Sequence, residues 1–276
     1  MIKDIVVNLR PDVENDPTGR YAISLAEAHE AHVTGVACAF SPPWPPALIE
    51  GGSADIYRSV KDENRKLAEA AIARFEDAAR RSQISFDSRL IDTTPAGAAE
   101  AFGTLARAFD LAVVRQPEPG RDDFADETIE AALFDSGRPV LVVPYIQKEN
   151  FSADRAIFCW DGSRQAARAL ADSLPILRRS TTVHVLTITT DRLSERDAVG
   201  ADIAKHLARH NLKVELVRIP AADIDVSSAI LSYVADTSAT LMVMGGYGHS
   251  RLREFVLGGA TRGMLKAMTA PTLMSH

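Results

Sequence analysis

Short apolar runs alternate along the chain with longer stretches whose apolar residues fall at helical spacing. The first alternation predicts a strand at 4–9, a helix at 16–31, a strand at 33–40, a helix at 55–82, a strand at 84–91, a helix at 95–108, a strand at 111–114, a helix at 126–136 and a strand at 139–143. In the helix at 16–31, for example, Tyr21, Ala22, Leu25, Ala26 and Ala28 share one face. The pattern then starts again. It predicts strands at 155–160, 182–189, 213–219, 240–245 and 271–274, with helices at 163–177, 197–210, 224–237 and 260–268 between them. Pro271-Thr272-Leu273-Met274 mirrors Pro139-Val140-Leu141-Val142 in place and in its leading proline.

Strands alternating with helices imply parallel sheets with helices on both faces, and right-handed crossovers fix the rest of each half. The expected fold is α/β, with two tandem doubly wound, Rossmann-like five-stranded sheets. Residues 1–145 and 153–276 are the expected domains, and the polar stretch 145–153 is the linker. Ser41-Pro42-Pro43-Trp44-Pro45-Pro46 can neither extend a strand nor open a helix, so it reads as a loop, with Trp44 as a covering side chain for a ligand or for its own domain.

Composition changes this picture little. The chain has 276 residues, 46% apolar and 25% charged, enough material for two cores. A net charge of −6 without a basic block argues against nucleic acid and anionic membranes. No apolar run approaches the roughly 18 residues of a membrane span, so a cytoplasmic protein is expected. Cys38 and Cys159 sit in apolar strand patterns and read as free buried thiols.

The candidate chemistry gathers near the end. Four apolar residues, Leu241 to Met244, run into Gly245-Gly246-Tyr247-Gly248, and a second glycine pair, Gly258-Gly259, precedes the last helix. Glycines let backbone amides approach an anion without a Cβ in the way. A helix opening after Gly258 adds its free amides and the positive end of its dipole. In a doubly wound sheet, ligands sit at the carboxyl ends of the strands where the strand order reverses. There Asp161, after the first strand of the second half, would face the glycine loop. Its alternative role is to cap the next helix.

The spacing Gly245-x2-Gly248-x9-Gly258, with Leu252, Glu254 and Leu257 inside it, resembles the nucleotide loop of the universal stress protein family. The whole chain resembles a tandem member, with two copies of the family domain. The resemblance implies binding of ATP or another adenine nucleotide, with Mg2+ accompanying it. It implies contacts from Asp161, from Ile188 on the adenine side, and from the loop positions Gly245, Gly248, Gly258 and Gly259. Ser250 and Thr261 could each add a hydroxyl, and Gly258, Gly259 and Ala260 their amides. Ile188 serves equally well as an ordinary core residue. Gly259 departs from the family, whose ATP-binding members carry Ser or Thr there. Loss of that hydroxyl contact weakens binding by about 1.5–3 kcal/mol, roughly ten- to a hundred-fold.

The first half departs further. Arg10 stands near the position of Asp161, and Arg115-Gln116-Pro117-Glu118 replaces the loop glycines, followed by an acidic run from Asp122 to Glu127 that would repel phosphate. No intact nucleotide site is expected there. The resemblance also implies that the strands at 139–143 and 271–274 pair within the chain, hiding two sheet edges. A homodimer of the whole chain is a further expectation.

No catalytic residue and no metal-ligand spacing is evident. His249 and Arg251 flank the loop without the carboxylates or nucleophile that phosphoryl transfer needs, and His184, His206, His210 and His276 show no ligand spacing. Neither a Gly-x-Ser-x-Gly elbow nor a Gly-x4-Gly-Lys loop occurs. Three readings remain: a non-catalytic stress-response protein that binds an adenine nucleotide, hydrolyses it at most slowly and signals to a protein partner; a nucleotide-free interaction or structural protein; and an adenylating enzyme.

Overall fold

The computed structural model describes residues 1–41, 54–120, 124–189, 199–220, 225–247 and 260–276. The chain divides into two compact units. One comprises residues 1–115, 122–138 and 149–151, and the other 116–121, 139–148 and 152–276.

Unit 1 carries β1 (Asp4–Asn8), α1 (Pro17–His29), β2 (His32–Phe40), α2 (Ala54–Arg81), β3 (Phe86–Thr93), α3 (Pro95–Ala106), β4 (Leu111–Arg115) and α4 (Ala125–Asp135). Its strands lie in the order β3-β2-β1-β4 and all pair parallel. The chain therefore returns past β1 after β3, and right-handed crossovers then carry α3 to the face opposite α1 and α2. The sequence explains the buried centre. β1 and β4 are nearly continuous apolar runs, with Ile5, Val6, Val7, Ala112 and Val113 inaccessible to solvent, as expected of a strand covered on both faces. Helix ends follow local chemistry. Asp16 caps α1 by accepting the Thr18 N–H, Thr94 caps α3 by accepting the Gly97 N–H, and a proline opens each helix.

Unit 2 carries β5 (Val140–Val143), β6 (Arg155–Cys159), α5 (Arg164–Leu177), β7 (Thr182–Thr189), α6 (Val199–Arg209), β8 (Val214–Pro220), α7 (Val226–Asp236), β9 (Leu241–Gly245), α8 (Ala260–Ala267) and β10 (Thr272–Ser275). The order is β5-β10-β9-β6-β7-β8. The last five strands repeat the order of unit 1 and pair parallel, while β5 runs antiparallel to β10 with Leu141 opposite Leu273. The expected pairing of the two proline-led strands is thus present, and all eight of their residues are buried.

Cys38 and Cys159 are free, as expected. Residues 145–153 are more than a polar tether. Phe151 packs edge-on to Tyr21 at 5.9 Å between ring centroids, and its N–H donates to Ser24 Oγ at 2.8 Å. No helix among the described residues is long and apolar enough to cross a membrane.

Candidate functional site

The strand order of unit 2 reverses between β6 and β9, which pair with Phe158 opposite Val243. On its other side β6 pairs with β7, Cys159 standing opposite Leu186, and the Trp160 N–H continues the ladder to the Leu186 carbonyl at 2.8 Å. Extending both registers sets Asp161 level with Ile188 on β7 and with Gly246 beyond β9. Residues 161, 188 and 245–246, far apart in sequence, therefore share one end of one sheet.

Asp161 is exposed, and its Oδ1 accepts the Ser163 N–H at 2.9 Å in a local turn closed by Gly162 at φ 78°. It does not cap α5. That role belongs to Ser163, whose Oγ accepts the Ala166 N–H at 3.0 Å. The second carboxylate oxygen of Asp161 has no hydrogen-bond partner among the described residues. Ile188 is 8% exposed at the carboxyl end of β7, so it offers one edge of an apolar side chain there.

Gly245 has a packing reason to be glycine. A Cβ there would lie 2.6 Å from the Ala166 N and 2.8 Å from Gln165 Cβ, so the first turn of α5 sits directly on the strand end. The two amides that follow are spent inside the protein. The Gly246 N–H donates to the Ser275 carbonyl at 2.9 Å, and the Tyr247 N–H donates to Thr261 Oγ1 at 3.1 Å. Thr261 is 3% exposed, so its hydroxyl oxygen serves this clasp before any ligand. The last helix opens at Ala260, as the glycine spacing implied, and Gly263 on it lies so close to α7 that a Cβ would sit 2.3 Å from Ser227 Oγ. Gly248, Ser250, Gly258 and Gly259 lie outside the described residues, as do His249, Arg251 and the proline loop with Trp44.

Two neighbours escaped the sequence reading. His276 Nδ1 donates to the Gly246 carbonyl at 3.1 Å, which a terminal histidine gives no sign of. Trp160, next to Asp161, keeps its indole Nε1 buried without a partner among the described residues, while its ring leans on Phe158 at 5.8 Å. Cys159 is no nucleophile, since burial, with a smaller contribution from the Asp161 charge, pushes its thiol up to about 12. Likewise His184 is engaged structurally, with Nδ1 2.8 Å from the Tyr233 hydroxyl and Nε2 3.5 Å from Glu215.

The corresponding end of unit 1 is built differently. The buried guanidinium of Arg10 grips Asp12 through Nε at 2.6 Å and Nη2 at 2.9 Å. Gln116, directly after β4, is 1% exposed and fully committed within unit 2: its N–H donates to the Val143 carbonyl, its Nε2 to the Leu265 carbonyl, and its Oε1 accepts the Tyr145 N–H.

A doubly wound α/β unit whose strand order reverses between β6 and β9 belongs to the Rossmann-like class of folds. Residues 153–276 match the universal stress protein family. A universal stress protein of Synechocystis sp. is 28% identical over 147 residues, which are 49% of this chain and 46% of that protein, so the match spans about half of each. A universal stress protein from Archaeoglobus fulgidus superposes with a TM-score of 0.69 at 16% identity, covering 98% of this chain and 94% of that one. A functionally unknown protein from Pseudomonas aeruginosa gives 0.60 at 13% identity, covering 99% and 92%. Those two likenesses establish the fold across the length of the chain.

Proposed function

We propose that unit 2 binds an adenine nucleotide of the ATP or AMP type at the carboxyl ends of β6, β7 and β9. The chain would act as a cytoplasmic stress-response protein that signals or protects rather than catalyses, with a homodimer and a protein partner part of this reading. The observation that carries it is the shared level of Asp161, Ile188 and Gly246. An exposed carboxylate with an open oxygen can accept a ribose hydroxyl or an adenine amine, and Ile188 offers an apolar edge to the base. Ala260 opens a helix whose N-terminal amides suit phosphate. The residues present fit the adenosine side. The phosphate side rests on Gly248, Gly258 and Gly259, and Mg2+ would arrive with the nucleotide. When bound, the nucleotide supplies the phosphate charge that the N-terminal amides of α8 are suited to hold.

Isothermal titration with ATP and AMP, with and without Mg2+, tests this. Asp161→Ala should weaken binding about ten- to a hundred-fold, the worth of a charge-assisted hydrogen bond, and Gly259→Ser should strengthen it. No heat with either nucleotide at millimolar concentration would overturn the proposal.

A second reading, a nucleotide-free interaction protein, draws on two observations. The Gly246 and Tyr247 amides are already bonded within the protein, and Gln116 turns the segment after β4 into packing. Nucleotide retained through purification would exclude it.

A further inference from the structure

We infer that unit 1 holds a second ligand site, a cavity between α1 and α2 that takes a small organic monocarboxylate with an apolar body. The cavity measures about 390 Å³, within the range of small-molecule sites. All its lining residues belong to unit 1, and none comes from β4 or from the segment after it. It is therefore not the crevice between the ends of the first and fourth strands, and it stands apart from the nucleotide reading of unit 2.

The floor is apolar by construction. Leu9, Ile23, Ala71 and Phe75 line it, and the Phe75 ring lies so close over Gly35 of β2 that a Cβ there would meet it at 2.6 Å. The wall is cationic. Arg10, Arg20, Arg74 and Arg81 all reach the cavity, against Glu14, Asp16 and Asp77.

Two of the three carboxylates are already engaged by other donors. Asp16 spends Oδ1 on the Thr18 N–H and Oδ2 on the Arg10 N–H, and Asp77 pairs with Arg80, which lies outside the cavity lining. Arg10 in turn is neutralised by Asp12.

Arg74 is the group left over. It is half-buried, and its Nη2 donates only to the neutral carbonyls of Pro11 at 3.3 Å and Val13 at 3.1 Å. Among the described residues no carboxylate comes within ion-pair distance of Arg74 or of Arg81 at the exposed end of α2. Two backbone carbonyls thus hold Arg74 through Nη2, leaving its charge without a carboxylate partner among the described residues and its Nε and Nη1 protons as single donors to an anion. Glu14, exposed on the same lining, makes a monoanion fit better than a phosphate dianion.

The test uses the full chain and octanoate, with 1-octanol and octyl phosphate as comparison ligands, followed by isothermal titration. Octanoate should bind one per chain, with octanol about ten- to a hundred-fold weaker and octyl phosphate weaker than octanoate. Arg74→Gln should lose a similar factor, and Arg81→Gln, at an exposed site that leaves folding intact, should lose less. Equal affinity for octanol and octanoate, no effect of either arginine substitution, or no saturation at millimolar octanoate would each overturn the inference. Tighter binding of octyl phosphate would overturn the carboxylate assignment. Displacement of octanoate by ATP would show that the site is not separate from a nucleotide site, whereas failure of ATP to bind at all would leave it standing.

Discussion

The Tyr247 N–H donates to Thr261 Oγ1 across fourteen positions of sequence, at 3.1 Å and in a buried setting. The bond ties the residue after the β9 turn to the first turn of α8, the two described flanks of the glycine segment. Tyr247 needs such support because it sits at φ 50°, in the left-handed region that favours glycine. Thr261→Val keeps the shape and removes the acceptor. We expect it to lower unfolding stability by about 1–3 kcal/mol, the cost of depriving a buried donor of its partner. Thr261→Ser should retain most of that stability. Urea unfolding of the three proteins checks this, and an unchanged midpoint for the valine variant would remove the clasp from the account.

Gly245→Ala tests whether that glycine serves packing as well as any ligand. The new methyl would meet the backbone N of Ala166 at 2.6 Å and Gln165 Cβ at 2.8 Å, and the backbone atom has no rotamer to yield. Either α5 shifts or β9 does. We expect a loss of about 1–3 kcal/mol, typical of an overpacked core, with or without nucleotide present. A variant that melts like the parent yet loses nucleotide binding would assign Gly245 to the ligand alone.

Much of this architecture was legible because it rests on periodicity. Apolar runs such as Leu111 to Val114 and Val140 to Val143 read as strands covered on both faces, and the repeated alternation in the second half matches the recurring strand order. Asp161 could be placed at the sheet end by counting strands, and Ile188 through the family resemblance. What the sequence hid are partnerships across long separations, which no local pattern encodes. Asp161 and Ser163 are both favoured helix caps, and only geometry shows Ser163 taking the cap while Asp161 keeps an oxygen open. The Thr261 hydroxyl, read as a candidate ligand contact, is drawn to Tyr247. Phe151 lies in a stretch read as a polar linker, yet a single aromatic suffices to pin it to Tyr21.

Gln116 offers the sharpest check on how the first half uses the segment after β4. Its side chain and N–H make three hydrogen bonds while 1% exposed, so nothing in it faces a ligand. Gln116→Leu would strand the Leu265 carbonyl and the Tyr145 N–H. We expect a destabilisation of about 1–3 kcal/mol by thermal or urea unfolding, with nucleotide affinity unaltered in the fraction that is folded. Equal stability of the leucine variant would show that the buried amide is dispensable and reopen a ligand role for the segment.

Asp225 gives a prediction in pH. It caps α7, accepting the Ser228 N–H at 3.1 Å as well as the hydroxyls of Ser227 and Ser228. The Ser227 hydroxyl, then the Ser228 hydroxyl and N–H, hold its carboxyl down at about 2, against 3.8 for an unperturbed Asp. A lowered pKa means the unfolded chain takes up the proton first as acid is added. The contribution of this group is therefore complete above pH 3.8 and declines as the pH falls towards 2. Asp225→Asn keeps an oxygen acceptor for the cap but cannot titrate, so the acid limb of the stability curve should flatten between those two values. Because Ser227 also lies against Gly263 of α8, the same substitution should loosen the α7–α8 contact and speed amide exchange in the first turn of α8. Stability curves of parent and variant that stay parallel from pH 5 to pH 2 would contradict the assignment.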